Sequence, residues 1–362
     1  MLPPTVIELA GPPRVRGRIH GEALREIIAR AIGGWQERIA GHLSHPFAWY
    51  VSALHAQTRF KEAIAQWAPE LLEEIAGIAE GSAVDADAVF AWQLADEHGW
   101  FTQSLINAQQ FERTGCTALG CIAPPSSVAL FAQNWDIPSV KDGVQTLLHI
   151  RYPDSDLETL VVTQAGMVGA LGMNNRGTGV LVNSLASLGN SPQGLPVSCL
   201  VRSMLEQDSY AESVRVARSV RHATGQNYII CHLDAFIDLE CSASRCEQFS
   251  LARPDVIAHA NTALANPDVR PGSPPAGTGD SPDRFRHVLA GIEAMRDDRS
   301  VEAMQAILRS PVVCLERDNP RGVFTAGSVI MDLGERLGMH VALGPPSSSP
   351  YLSYRLPRSP GG

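Results

Sequence analysis

The first third of the chain places its apolar residues with the spacing of amphipathic helices. Two apolar stripes recur at intervals of three and four residues, and the second follows Pro69. A third helix is predicted after Asp85, a capping residue, with Val89 and Trp92 on its buried side. Residues 21–99 are therefore predicted to form helices that pack together. The stripes are Leu24, Ile27, Ile28, Ala31, Ile32 and Trp35, and Leu71, Leu72, Ile75 and Ile78.

Beyond residue 115 the apolar runs become short and are separated by turns that contain glycine. This texture is typical of consecutive antiparallel strands, with turns predicted at residues 141–143 and 174–177. The predicted strands are TALGCIA from residue 117, VALFAQNW from 128, TLLHIRY from 146, ETLVVTQAG from 158 and GVLVNSLAS from 179.

The remainder alternates between helices and strands. Ser209 and Glu212 form a capping-box pattern at the start of the second of two helices. A loop over residues 266–280 precedes a helix for which we predict Ser281 as the cap and Pro282 as the first residue. This order favours a mixed α+β layered fold over a doubly wound parallel sheet. The predicted helices cover residues 197–206, 210–220 and 301–308, and the strands lie in 227–241, 256–260, 324–332 and 338–344.

Composition and charge exclude several classes of protein. The chain has 362 residues, of which 44% are hydrophobic and 19% charged, as is typical of a folded globular protein. Lys and Arg total 29 against 38 Asp and Glu, giving a net charge of −9, and no basic run suggests nucleic acid as a partner. The apolar runs are too short for an export signal or a membrane span. Seven cysteines without a C-x-x-C pair predict neither a disulfide framework nor a zinc site, so we expect a cytoplasmic location.

Common cofactor and catalytic motifs are missing from the sequence. There is no G-x-G-x-x-G after a strand, no phosphate-binding loop, no G-x-S-x-G and no H-E-x-x-H. We therefore predict no cofactor and no metal.

The informative motif is Gly115-Cys116 at the start of one strand, followed by Asn134-Trp135-Asp136 on the next. It resembles the acyl-coenzyme A:isopenicillin N acyltransferase family, the C45 peptidases, which are amino-terminal-nucleophile (Ntn) hydrolases. The likeness extends to five further segments: residues 172–183, 196–202, 227–230, 259–261 and 281–285.

The resemblance implies a four-layer αββα sandwich and a precursor that cuts itself between Gly115 and Cys116. The helical fragment 1–115 would stay associated with the catalytic part 116–362. On this basis residue 115 marks a processing site, although composition alone is equally consistent with a boundary between two domains.

The residue types at this site suit such chemistry. The Cys116 thiol would attack the Gly115 carbonyl, and water would hydrolyse the resulting thioester. The α-amine freed on Cys116 has an ordinary pKa of about 7.7–8.0, so part of it is neutral at pH 7 and can act as a general base. Nucleophile and base would then belong to one residue.

The resemblance assigns roles to four more residues. Asp136, twenty residues after Cys116, would hold the α-amine, and Asn183 would help to build the pocket of the nucleophile. Asn261 would stabilise the oxyanion, and Arg284 would reach back from an early helical turn to orient reacting groups. Each also has a plain structural interpretation, as a strand-end, loop or surface residue.

Two departures from the family pattern leave alternatives open. Thr262 follows Asn261 where the family usually has histidine, so Asn266 is a rival oxyanion donor, and Arg286 is a rival to Arg284. Gln133 stands where related bile-salt-type hydrolases have arginine, which argues against a bile-salt hydrolase. Alternation along the strand places Cys121 on the face opposite the nucleophile, and it and the other five cysteines are predicted to be buried thiols.

The predicted function is hydrolysis or transfer of the acyl group of a small amide through a Cys116 thioester. The expected partners are an acyl-amide or acyl-thioester substrate and the chain's own cleaved fragment, with the oligomeric state open. One alternative is an unprocessed, non-catalytic binding module of the same fold. The other is an unrelated hydrolase in which a histidine such as His259 assists Cys116.

Overall fold

The protein is described by a computed structural model that covers residues 6–106, 115–123, 128–273, 279–295, 298–334 and 337–359. The helices are α1 Pro13–Ala23, α2 Arg25–Leu43, α3 Phe47–Gln57, α4 Phe60–Trp67, α5 Pro69–Ser82, α6 Ala86–Trp92, α7 His98–Leu105, α8 Val197–Leu205, α9 Tyr210–Ser219, α10 Ser281–Ala294 and α11 Val301–Leu308. The strands are β1 Val6–Ala10, β2 Thr117–Ala123, β3 Val128–Pro138, β4 Gln145–Arg151, β5 Glu158–Gln164, β6 Leu171–Asn174, β7 Gly179–Ser184, β8 Gln226–Cys231, β9 Phe236–Cys241, β10 Cys246–Phe249, β11 Val256–His259, β12 Val323–Asp332, β13 Gly338–Ala342 and β14 Leu352–Arg355.

The strands form two sheets. Sheet 1 has the order β1-β4-β5-β6-β7-β8-β9-β10, and sheet 2 has the order β11-β2-β3-β12-β13-β14. Among these strands, all of which lie in the described ranges, β1 pairs with β4 in parallel and the other neighbours pair antiparallel.

Three hydrophobic cores separate four layers. The first core joins the helices of the amino-terminal part, α8 and α9 to the outer face of sheet 1. The second lies between the two sheets, and the third lies between sheet 2 and the helices α10 and α11. This arrangement confirms the α+β fold and the αββα sandwich that the resemblance implied.

Most predicted elements are present, because their signals are local. Strand β2 coincides with TALGCIA, and β11 and α11 match their predicted ranges to within one residue. The Asp85 side chain accepts a hydrogen bond from the Ala88 amide at 3.0 Å, and Ser209 accepts one from the Glu212 amide at 3.3 Å, as expected of helix caps. Cys121 belongs to the third core and Cys116 to the second, which confirms that they lie on opposite faces.

Two predictions are wrong. Ser281 is the first residue of α10 and Asp280 is its cap, because the Ser281 hydroxyl instead accepts a hydrogen bond from the Asn261 amide at 2.9 Å. Cys241 and Cys246 are joined in a disulfide rather than being free thiols, since they lie opposite each other on paired strands. Strands β1, β6, β10 and β14 were not predicted.

The helical part before residue 115 shares sheet 1 and its core with the rest of the chain. Strand β1 forms one edge of that sheet, next to β4. The Trp92 indole donates to the Ala165 carbonyl at 3.0 Å, and the Gln93 amide donates to the Gly166 carbonyl at 2.7 Å. Within the described ranges, no helix is both long and apolar enough to cross a bilayer.

Candidate active site

Cys116 directly precedes β2 and lies between the two sheets. Its side chain is buried, and its sulfur lies 3.9 Å from the Asp136 carbonyl oxygen. Burial, together with the nearby Asp136 carboxylate, raises the pKa of the Cys116 thiol to about 12. The thiol is therefore protonated at neutral pH while its own nitrogen is part of a peptide bond.

Asp136 lies on β3 beside Gly115. One carboxylate oxygen, Oδ1, accepts a hydrogen bond from the Thr325 hydroxyl at 2.7 Å. The other, Oδ2, is buried and has no hydrogen-bond partner in the described part of the chain. Burial raises the pKa of Asp136 to about 7. A Cβ atom placed on Gly115 would lie 2.3 Å from Oδ2, so only glycine fits against this carboxyl group.

Arg284 lies in the first turn of α10 and reaches the Gly115–Cys116 segment. Its Nη1 donates to the carbonyl oxygens of Gly115 at 2.8 Å and Cys116 at 2.7 Å, and to the Thr117 hydroxyl at 2.7 Å. Arg286, the rival, is exposed and pairs with Asp283. The structure thus brings Arg284, and not Arg286, to the predicted scission point.

Asn261 follows β11 and is joined to the site through Arg284. Its Oδ1 accepts a hydrogen bond from Arg284 Nη2 at 2.9 Å, and its Nδ2 donates to the Ser184 carbonyl at 3.0 Å. The rival Asn266 has different partners, since its Nδ2 donates to the Glu240 carbonyl at 2.8 Å. Of the two asparagines, Asn261 is therefore the one that hydrogen-bonds to Arg284, the residue that contacts the Gly115–Cys116 segment.

The loop that carries Asn261 is organised by Glu240. Its two carboxylate oxygens accept hydrogen bonds from the amides of residues 264, 265 and 266 at 2.7–2.8 Å, and Oε1 also pairs with His259 Nε2 at 2.8 Å. The other ring nitrogen of His259 donates to the Ala260 carbonyl at 2.8 Å. Burial alone would lower the pKa of His259, but the carboxylates of Asp238 and Glu240 outweigh it and hold the pKa above its ordinary value. With both nitrogens engaged, His259 is not placed to activate Cys116.

Asn183 lies apart from these contacts. It is buried on β7, where its Nδ2 donates to the Asn227 side chain at 3.4 Å. Side chains alternate along a strand, and the neighbours Val182 and Ser184 line a cavity next to Cys116. The backbone around Asn183 therefore borders that cavity. Its own side chain lies on the same face of β7 as Leu181, which belongs with Cys116 to the core between the two sheets.

The cavity, of about 150 Å³, extends from Cys116 and Asp136 towards the amino-terminal helices. Trp100 and Trp135 form part of its apolar wall, and Lys141 and Arg270 are among its charged residues. None of these four was predicted as a site residue, because the cavity exists only where distant segments of the chain come together.

The four layers, with Gly-Cys at the start of a central strand, define the Ntn-hydrolase class of amide-processing enzymes. The profile of the family described as acyl-coenzyme A:6-aminopenicillanic acid acyl-transferase matches residues 123–310, more than half of the chain. The chain belongs to this family and is an enzyme of the acyltransferase and amide-hydrolase class. The matched range includes Asp136, Asn183, Asn261 and Arg284 and begins after Cys116.

Known relatives are similar over much of the chain. The 40 kDa form of acyl-coenzyme A:6-aminopenicillanic-acid-acyltransferase from Emericella nidulans is 27% identical over 292 residues, covering 79% of this chain and 78% of that protein. Among solved structures, the Caenorhabditis elegans ortholog of N-acylethanolamine-hydrolyzing acid amidase is 15% identical with a TM-score of 0.47, covering 60% of this chain and 93% of the other. Penicillin V acylase from Agrobacterium tumefaciens is 14% identical with a TM-score of 0.46, and the match covers 68% of this chain and 89% of the acylase chain.

Proposed function

We propose that the protein is a precursor that cuts itself at Gly115–Cys116 and then hydrolyses or transfers the acyl group of a small amide through a Cys116 thioester. Family membership supports the reaction class. The observation that carries the cutting step is the hydrogen bond from Arg284 Nη1 to the Gly115 carbonyl oxygen at 2.8 Å.

In the cutting step the Cys116 sulfur attacks the Gly115 carbonyl carbon. The carbonyl oxygen acquires negative charge as the tetrahedral intermediate forms, and a guanidinium group already hydrogen-bonded to it lowers the energy of that state. The carbon–nitrogen bond breaks, the nitrogen takes a proton to become the α-amine of Cys116, and the acyl group moves to sulfur. Water then hydrolyses the thioester and leaves Gly115 as a free carboxylate.

Cutting also changes the surroundings of the thiol. Where the precursor has a peptide nitrogen, the mature enzyme has an amine that can accept the thiol proton. In this proposal Asp136 accepts a hydrogen bond from that amine. The position of its Oδ2, which lies against Gly115 and has no partner among the described residues, supports this role. An ammonium group beside the sulfur favours the thiolate and so lowers the pKa of Cys116.

In turnover the same sulfur attacks the substrate. The acyl group moves to Cys116, the amine leaves with the proton held by the α-amine, and water or another amine accepts the acyl group. The cavity beside Cys116, with apolar walls and charged residues together, suits a small amide such as an N-acyl amino acid or peptide. We propose Asn261 as the oxyanion donor, because its Nδ2 has a second hydrogen beyond the one given to Ser184. We propose that Asn183 helps to build the pocket of the nucleophile, because its side chain lies on the face of β7 that is turned towards sheet 2. A cytoplasmic location stays a prediction.

Intact mass of the purified protein tests the proposal. We expect two associated fragments of about 12 and 26 kDa, in proportion to their lengths, with the larger beginning at Cys116. Cys116→Ala should remain a single 38.9 kDa chain. A wild-type protein that stays uncut under native conditions contradicts self-processing and favours a binding module. A processed wild type that releases neither an amine from any N-acyl amide nor a thiol from any thioester offered contradicts the proposed turnover instead.

A further inference from the structure

A histidine and two cysteines lie together on sheet 1, apart from Cys116. Cys241 ends β9 and Cys246 begins β10, and the register of the hairpin places them directly opposite each other. A ring nitrogen of His222 and the two sulfur atoms all lie within 4.8 Å of one another. In this structure the two sulfurs form a disulfide.

The hydrogen bonding of His222 fixes which of its nitrogens carries the proton. Its Nε2 lies 2.9 Å from the Ala217 carbonyl oxygen, which can only accept, so Nε2 holds the hydrogen. The buried Nδ1 therefore presents a lone pair, and it has no hydrogen-bond partner within the described ranges. A backbone carbonyl that fixes one ring nitrogen while the other stays basic is the arrangement found around metal-binding histidines.

His222 and the two cysteines differ in how far solvent reaches them. His222 is 2% exposed. Cys241 is fully buried, whereas Cys246, on the edge strand β10, is only half-buried and leaves a path from solvent.

We propose that His222, Cys241 and Cys246 bind one Zn²⁺ ion when the disulfide is reduced. Two thiolates and one imidazole form a ligand set typical of zinc, and water reaching the site past Cys246 completes a tetrahedron. The site is independent of the proposed acyl chemistry and is a second, redox-dependent feature of the protein.

The redox and binding steps are separate. A dithiol reductant transfers two electrons and two protons to the disulfide, giving two thiols, and is itself oxidised to a disulfide. Zinc then forms two bonds to sulfur and one to Nδ1, and both thiol protons pass to solvent. Either the disulfide or the ion would connect β9 to β10 at the edge of sheet 1, and oxidation would release the ion.

Metal titration of the full-length protein tests this proposal. The protein is reduced, freed of reductant without air, and titrated with Zn²⁺ against a chromophoric chelator. We expect one tightly bound ion per chain in the reduced form and none in the oxidised form. Co²⁺ in place of Zn²⁺ should give the thiolate-to-cobalt absorption and the ligand-field bands of a tetrahedral site.

Single substitutions locate the ion. Cys246→Ser, at the half-buried position, and His222→Gln should each weaken Zn²⁺ binding at least about tenfold. Cys314→Ser and Cys116→Ala, which alter cysteines outside the cluster, should retain the ion, and circular dichroism verifies that each variant is folded. The proposal is overturned if reduced wild type binds no zinc, if Cys246→Ser binds it equally well, or if the ion is lost in Cys116→Ala.

Discussion

The Nη1 atom of Arg284 lies 2.8 Å from the carbonyl oxygen of Gly115, although 169 positions separate the two residues in the chain. If this hydrogen bond stabilises the oxyanion of the cutting step, Arg284→Met should slow processing by about 10²–10³-fold. The measurement is the appearance of the two fragments over time by denaturing electrophoresis.

Arg286→Met is the matched control, because Arg286 lies on the same helix but is exposed and pairs with Asp283. It should process at the wild-type rate. Equal rates for both variants would show that the guanidinium of Arg284 does not assist the reaction.

Gly115 is held against the Asp136 carboxyl group. Because an added Cβ would lie 2.3 Å from Oδ2, Gly115→Ala should displace Asp136 or the scissile carbonyl and reduce processing at least about tenfold. Gly327→Ala is a suitable control, since its Cβ would make only an ordinary contact of 3.4 Å with Trp135. Intact mass of both variants, recorded at the same times after purification, distinguishes them. Normal cutting of Gly115→Ala would contradict the steric argument.

Asp136 should make the stability of the uncut protein depend on pH. Its pKa in the folded precursor, about 7, lies above the ordinary value of 3.8 for an aspartic acid. The stability that it contributes is therefore fully present below about pH 4 and is lost as the pH rises through about 7. In the Cys116→Ala background, Asp136→Asn should thus gain stability relative to its parent between pH 4 and 7.

Urea denaturation at a series of pH values measures this difference. Asp268→Asn is the control, because hydrogen bonds from the Ser242 and Ser244 hydroxyls, which do not titrate in this range, lower the pKa of that carboxyl group. Its contribution to stability changes only below about pH 4. The difference in free energy of unfolding between this variant and its parent should therefore be constant between pH 4 and 7. A flat difference for Asp136→Asn as well would show that the folded precursor does not keep this carboxyl group protonated.

A buried ion pair joins the two prospective fragments. Glu74 on α5 accepts hydrogen bonds from Arg202 on α8 at 3.0 Å and from Arg16 on α1, and all three side chains are buried. Removing one partner leaves buried charge uncompensated, so Arg202→Met should reduce the free energy of unfolding by about 3–5 kcal/mol.

The exposed pair of Arg14 with Glu80 provides the comparison. Arg14→Met should reduce the free energy of unfolding much less than Arg202→Met does, because water screens exposed charges. Both values come from urea denaturation in the Cys116→Ala background. In the processed protein, Arg202→Met should also release the smaller fragment during gel filtration in mild urea, and equal retention by both variants would contradict this role.

Local sequence patterns predicted most of the helices and strands. The geometry of the site depends instead on contacts between residues that are far apart in the chain. Strand β2 is recognisable because its apolar run is complete within seven residues. Strand β1 was missed because only five residues form it, and its partner β4 lies far along the chain. The resemblance identified Arg284 and Asp136, but no sequence pattern could show that Arg284 reaches the Gly115 carbonyl or that Gly115 abuts Asp136.

Tertiary context also decided which residues cluster together. The C-x₄-C spacing of Cys241 and Cys246 carries no zinc signature, and His222 reaches them from a different segment. Similarly, the positions of Asn261 and Asn266 become distinguishable only when their hydrogen-bond partners are seen.

The parallel pairing of β1 with β4 has a consequence for production of the mature enzyme. Without residues 1–115, β1 would be missing and β4 would become the edge strand of sheet 1. Its backbone amide and carbonyl groups on that side would then be unpaired. An exposed edge strand of this kind can pair with strands of other chains and so promotes aggregation. A gene that starts at Cys116 should therefore yield insoluble protein, and co-expression of the two halves as separate polypeptides should restore solubility.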